Sequence, residues 1–183
     1  MIFTETSLPG AFVIEPERLD DQRGFFARTW CAREFETQGL DPRLVQCSIS
    51  FSKRKGTLRG MHYQGPPAAE TKLVRCTAGA IVDVIIDLRP DSPTFTRHVA
   101  VVLSAENRKA VYVPAGFAHG FQTLSDDTEM FYQMSEFHSP GHARGVRWDD
   151  PAFGIRWPHD ERIISDRDRT YPDFTSARRE AGR

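Results

Sequence analysis

Up to residue 134 the chain alternates apolar and polar residues in short runs, and only one stretch holds helix-forming residues together. Residues 10–16 alternate moderately and predict a short strand, followed by a polar turn over 19–24 and an aromatic-rich strand over 25–30. Residues 31–39 contain Ala32, Arg33, Glu34, Phe35 and Glu36 and close on Gly39, which predicts one short helix stopping at the glycine. Alternation resumes over 45–51, and a basic turn over 52–56 leads into Leu58-Arg59-Gly60-Met61-His62-Tyr63-Gln64. After the break at Pro66-Pro67, strands are predicted over 72–76, 80–88, 98–103, 109–113 and 129–134, with turn signals roughly every ten residues. Many short β-branched segments without long helical crossovers predict an all-β antiparallel sandwich or barrel rather than a parallel α/β sheet. From Ser139 onward only brief apolar runs survive among turn residues. Residues 139–183 therefore read as a tail packed on the barrel, with a short helix near 176–180. A chain of 183 residues suffices for one domain with a full core, and residues 1–183 are read as that single domain.

Charge narrows the partners. Twenty-four lysines and arginines stand against 25 aspartates and glutamates, a formal net charge of −1. That balance excludes a broad basic surface for nucleic acid or anionic membrane, so an anionic ligand must be met by local arginines. Cys31, Cys47 and Cys76 are odd in number and lack CxxC spacing, which points to neither a disulfide framework nor a thiolate zinc site. Cys31 and Cys76 lie in apolar surroundings and read as ordinary buried thiols. The N-terminus has no basic region followed by a long apolar run, and no window approaches about 18 consecutive apolar residues, so a cytoplasmic protein is expected.

The chemistry concentrates in residues 58–72. At period two, Leu58, Gly60, His62 and Gln64 share one strand face, which places a histidine in an enclosed, partly desolvated cavity where it can act as a base. Alternation alone puts Arg59 on the other face, unless Gly60 marks a bulge, and the sequence leaves both open. A second histidine, His119, arrives through Pro114-Ala115-Gly116-Phe117-Ala118-His119, read as a tight turn between strands. This Pro-x-Gly-x-x-His pattern resembles the second half of the cupin signature, and His62-Tyr63-Gln64 with Gly79 resembles a worn first half. In metal-binding cupins Gln64 and Lys72 would be a histidine and a glutamate. An ammonium has no lone pair for a metal and repels a cation, so no metal is expected. His62, Lys72, His119 and the phenol of Tyr132 together suit proton abstraction beside a ketone: a base, a cation for the enolate oxygen and a returning acid.

Taken in order, Asp21-Gln22-Arg23-Gly24-Phe25-Phe26, the 58–64 stretch, Lys72-Leu73-Val74-Arg75, residues 83–89 and 114–121, Trp157-Pro158 and Ser165-Asp166-Arg167-Asp168 resemble the dTDP-4-dehydrorhamnose 3,5-epimerases over nearly the whole chain. The resemblance implies a cupin-like jelly-roll barrel, no cofactor, and homodimers that exchange β-strands. It implies epimerisation of a dTDP-linked 4-keto-6-deoxyhexose at C3 and C5. It assigns His62 as base, Asp168 as the carboxylate that orients it, Lys72 as enolate stabiliser and Tyr132 as acid. Arg23 and Arg59 would meet the diphosphate, a use suited to the bidentate fork of arginine. Phe26, Gln46, His119 and Arg167 match positions lining the nucleotide-sugar site. Four positions depart from the family pattern, all on the nucleotide side: Arg28 and Ala143 for glutamates, Ser48 for an asparagine, and His138 for a tyrosine that stacks on thymine. The alternatives are a relative that inverts a single centre or takes another nucleotide, and a non-catalytic nucleotide-sugar binder.

Overall fold

The computed structural model describes residues 1–174, most of them in strands. In chain order these are β1 (Ile2–Glu5), β2 (Phe12–Glu15), β3 (Arg18–Asp21) and β4 (Gly24–Ala27), then α1 (Ala32–Thr37), β5 (Gln46–Ser52), β6 (Leu58–Gln64) and β7 (Lys72–Ala78). They continue as β8 (Ala80–Asp87), β9 (His98–Ser104), β10 (Ala110–Val113), β11 (Phe117–Thr123), β12 (Thr128–Met134), β13 (Ala143–Gly145) and α2 (Asp166–Arg169). Two antiparallel sheets carry the fold, one in the order β1-β2-β10-β7-β12-β5 and the other β13-β6-β11-β8-β9. Val74, Cys76, Val111 and Met130 of the first meet Ile81, Ile85, Leu103, Phe117 and Phe121 of the second, and all are buried. This face-to-face arrangement is the cupin-like jelly roll.

Each sheet has its outer face covered by a different piece of chain. Phe35 of α1 packs with Ile14, Leu73 and Tyr112 on the six-stranded sheet, with its ring edge-on to Phe3 and Tyr112. The tail covers the five-stranded sheet through Val146, Phe153, Ile155, Trp157 and Phe174, against Met61, Val84, Ile86 and Ala118. β8 serves both faces: Ile81 and Ile85 point between the sheets while Val82, Val84 and Ile86 point to the tail. That two-sided burial explains its nearly unbroken apolar sequence.

Several boundaries differ from expectation. The polar stretch 19–24 is not a turn alone but the end of β3, the turn and the start of β4, a two-stranded hairpin paired with neither main sheet. The aromatic strand ends at Ala27, and the helix runs from Ala32 to Thr37. His119 lies in the middle of β11 rather than in a turn, which is confined to residues 114–116. Of the cysteines only Cys76 is buried; Cys31 is half-buried and Cys47 exposed. The helix expected near 176–180 falls outside the described residues.

At Gly60 the structure decides between the two faces the sequence left open for Arg59. Residues His119 and Phe121 of β11, both on the inward face, pair with His62 and Arg59, so two residues of β6, Gly60 and Met61, oppose the single Gly120. This bulge turns Arg59 onto the same face as His62, while Met61 packs outward under the tail. Both glycines are required. Gly60 has φ +136°, and a Cβ there would lie 2.5 Å from Gly120 Cα. On Gly120 a Cβ would meet Met61 Sδ at 2.6 Å and the Arg59 carbonyl at 2.8 Å. We expect Gly120→Ala to destabilise the fold by about 1–3 kcal/mol through overpacking against backbone. Urea denaturation checks this, and a loss well under half a kcal/mol would show that the bulge tolerates the extra atom.

Candidate active site

A cavity of about 830 Å³ opens between the sheets where β5, β6 and β12 converge. β5 supplies Gln46, Ser48 and Ser50 by alternation, while Cys47, Ile49 and Phe51 face solvent on its other side. β6 contributes Arg59 and His62 through the bulge, β7 begins with Lys72, and β11 and β12 add His119 and Tyr132. His138 and the tail residues Arg167 and Asp168 complete the wall. Ten of the thirteen residues singled out from the sequence therefore line one cavity.

The tail is docked by backbone pairing. Thr57 bridges to Ile163, Leu58 donates its N–H to the Ile163 carbonyl at 2.8 Å, and Ile163 donates back to Gly56 at 3.2 Å. Directly beyond, Ser165 caps α2 by accepting from the Asp168 N–H at 3.1 Å, and the one-turn helix delivers Asp168 inward. Its Oδ1 lies 2.7 Å from His62 Nε2, and its Oδ2 accepts from the Gly60 N–H at 3.1 Å. Burial alone would raise this carboxyl. The hydrogen bond and charge of His62, with the Gly60 N–H and Ser165, outweigh it and hold the group below the usual aspartate value. Asp168 is thus a carboxylate at neutral pH that fixes the His62 ring, whose own side chain remains 41% exposed to the cavity.

Across the cavity, on the opposing sheet, Tyr132 lies edge-on to His119 with ring centroids 6.1 Å apart. Desolvation pushes its phenol well above the ordinary tyrosine value; Ser50 pulls the other way, Asp83 reinforces the rise, and Arg59 opposes it. The hydroxyl therefore keeps its proton at any working pH. Lys72 Nζ lies 3.4 Å from the His62 carbonyl and 3.0 Å from Glu70 Oε1.

Arg23, Phe26 and Arg28 are not brought to this cavity. Arg23 is 89% exposed and held by Asp21 across the hairpin turn, and Phe26 is 70% exposed. Arg28 pairs with Glu34 at 2.7 Å beside a separate small hollow formed with Met1, Glu17 and Leu19. Ala143, a departure from the family pattern, pairs with Gln64 in β13. Three site residues escaped the sequence reading. Asp83 is 1% exposed, with Oδ1 2.6 Å from His119 Nε2 and Oδ2 without a hydrogen-bond partner among the described residues. An aspartate in register with inward Ile81 and Ile85 in the most apolar run was the available signal. Glu70 carried no signal. Gly145 pairs with His62 and makes room for Tyr171, whose ring carbon would lie 2.2 Å from a Cβ there. Cys76, with its thiol pushed up to about 11 mainly by burial, is inert packing.

Fold and cavity together define a cupin-like enzyme of the epimerase type. Residues 5–176 match the family model for dTDP-4-dehydrorhamnose 3,5-epimerase. A dTDP-4-dehydrorhamnose 3,5-epimerase of Sinorhizobium fredii is 43% identical over 175 residues, 95% of this chain and 90% of that protein. The crystal structure of the Bacillus anthracis enzyme with TDP and PPi bound matches with a TM-score of 0.91 at 43% identity, covering 94% of this chain and 99% of that one. A 3′-monoepimerase from Streptomyces bikiniensis in complex with dTDP-quinovose matches at 36% identity with a TM-score of 0.87, covering 96% and 89%. The chain belongs to the dTDP-4-dehydrorhamnose 3,5-epimerase family.

The cupin metal position does not suit a cation here. The two N–H groups of Gln64 Nε2 are shared among three acceptors, the Ala68 and Phe137 carbonyls and Glu70, and its Oε1, the atom a metal would need, accepts from the Ser139 N–H at 2.6 Å. Lys72 adds a positive charge. Dialysis against EDTA should leave turnover unchanged; loss of activity restored by a divalent metal would contradict the geometry.

Proposed function

We propose that the protein epimerises dTDP-4-dehydro-6-deoxy-D-glucose at C3 and C5, giving dTDP-4-dehydro-L-rhamnose by enolisation beside the 4-keto group. The observation that carries this reading is a histidine fixed by a buried carboxylate on one sheet facing a protonated tyrosine on the other, with an ammonium beside the histidine. His62, with Nε2 engaged by Asp168, takes the carbon-bound proton at Nδ1. Lys72 meets the negative charge that develops on the ketone oxygen, a term that works best in a site shielded from water. Tyr132 then returns a proton from the opposite face, which inverts the centre. Proton transfer at C3 and at C5 uses the same groups because both carbons flank the same ketone.

In this proposal the nucleotide end is built by Gln46, Ser48, His119, His138 and Arg167, with Arg59 meeting the diphosphate. Arg23, Phe26 and Arg28 belong to the same site in a homodimer, where the hairpin of one copy completes the cavity of the other. Exposed Phe26 and Leu19 on the unpaired hairpin, and Ile49 and Phe51 on the outer face of edge strand β5, support that arrangement. The chain acts as one domain in the cytoplasm; no helix among the described residues is long and apolar enough to cross a membrane. Inversion of a single centre is the second reading, favoured by the likeness to the Streptomyces bikiniensis 3′-monoepimerase.

Two variants test the roles. His62→Ala should slow solvent exchange at the sugar carbons by about a thousandfold, since general base catalysis is removed. Exchange at near wild-type rate would assign the base elsewhere. Tyr132→Phe keeps the ring and deletes the donor, so exchange through His62 should persist while inversion falls by about a hundredfold. Equal loss of exchange and inversion would make Tyr132 structural.

A further inference from the structure

Glu70 has no part in the set above, yet its side chain lies in the same cavity at only 10% exposure. A carboxylate so far removed from water is costly unless paired. Its partner is Lys72, itself 12% exposed, with Nζ 3.0 Å from Glu70 Oε1. The other oxygen, Oε2, accepts from Gln64 Nε2 at 3.2 Å. Gln64 is in turn anchored to the main chain at Ala68, Phe137 and Ser139, on either side of His138. Glu70 is therefore held from behind by a side chain that is itself tied to the main chain on two sides.

This matters because of what lysine is. Its ammonium carries three donors on a flexible four-carbon stem, and left alone it samples many positions. Here one donor is directed at Glu70 and a second at the His62 carbonyl 3.4 Å away, which leaves one for a group in the cavity. We propose that Glu70 is a positioning residue: it fixes the Lys72 ammonium so that its remaining donor meets the enolate oxygen. The contact with the His62 main chain keeps that charge in register with the base. The proposal rests on the reading of the site given above and adds a residue to it.

The test is Glu70→Gln, which keeps the shape and an acceptor oxygen but replaces a charge-assisted contact with a weaker neutral one. We expect kcat to fall about tenfold, with solvent exchange at the sugar carbons falling in parallel, because misplacing the cation impairs enolisation itself. KM for the ketosugar and calorimetric affinity for dTDP should stay within about twofold, since the change is confined to the transition state. The melting temperature should stay close to wild type. Glu70→Ala, which removes the carboxamide as well and leaves Lys72 only the His62 carbonyl, should lower kcat further. An unchanged kcat in Glu70→Gln would overturn the proposal, as would a parallel fall of kcat, dTDP affinity and melting temperature, which would make Glu70 a strut between the 64–72 and 137–139 segments. Absence of exchange in the wild type would remove the reading of the site itself, an outcome distinct from either.

Discussion

A carboxylate near the end of the chain lies 2.7 Å from a histidine 106 positions earlier, and most of the architecture serves to keep it there. Asp168 is nearly out of reach of water, so its charge is tolerable only while His62, the Gly60 N–H and the cap of α2 surround it. That requires the tail to be seated, which the pairing of Ile163 with residues 56–58 and the burial of Val146, Phe153 and Trp157 accomplish. It also requires the bulge at Gly60, because Gly60, whose N–H donates to Asp168, is one of the two bulge residues that bring Arg59 onto the cavity side. A single irregularity in β6 thus links Asp168, His62 and Arg59.

The two sheets divide the chemistry. The five-stranded sheet with the tail behind it holds the histidine–aspartate pairs, His62 with Asp168 and His119 with Asp83. The six-stranded sheet holds Tyr132, whose phenol is kept neutral by desolvation, and Lys72 at the start of β7. His62 and Tyr132 are thereby placed on opposite walls of the cavity, as the proposed transfer of protons on opposite faces of a sugar ring requires. The rigidity of two packed sheets does what a loop-built site could not.

Much of this was legible in the sequence. The β-branched runs of β8, β9, β10 and β12 fall close to where alternation puts them, because each has a face to bury. Strand β3 was not legible: Arg18, Leu19, Asp20 and Asp21 are all exposed, so no alternation marks them. Helix α2 has four residues, too few for a helical period to register. Alternation alone could not place Arg59, and the bulge that Gly60 offered as the alternative is the one present. The polar residues of the site fared likewise: Asp83 was hidden in an apolar run, and Glu70 acts through neighbours that only the fold supplies. His62, Lys72 and Tyr132 were read as a proton-transfer set from the residues themselves, Asp168 was added by the family resemblance, and the fold gathers all four into one cavity.

In the proposed reaction one base and one acid serve two carbons flanking a single ketone. Relatives of similar fold include a 3′-monoepimerase, so the fold alone does not fix the number of centres inverted. The direct measurement is proton NMR of dTDP-4-dehydro-6-deoxy-D-glucose incubated with the wild-type protein in deuterium oxide. The account predicts deuterium at both C3 and C5 and a product inverted at both; deuterium confined to one carbon, or to neither, would contradict it.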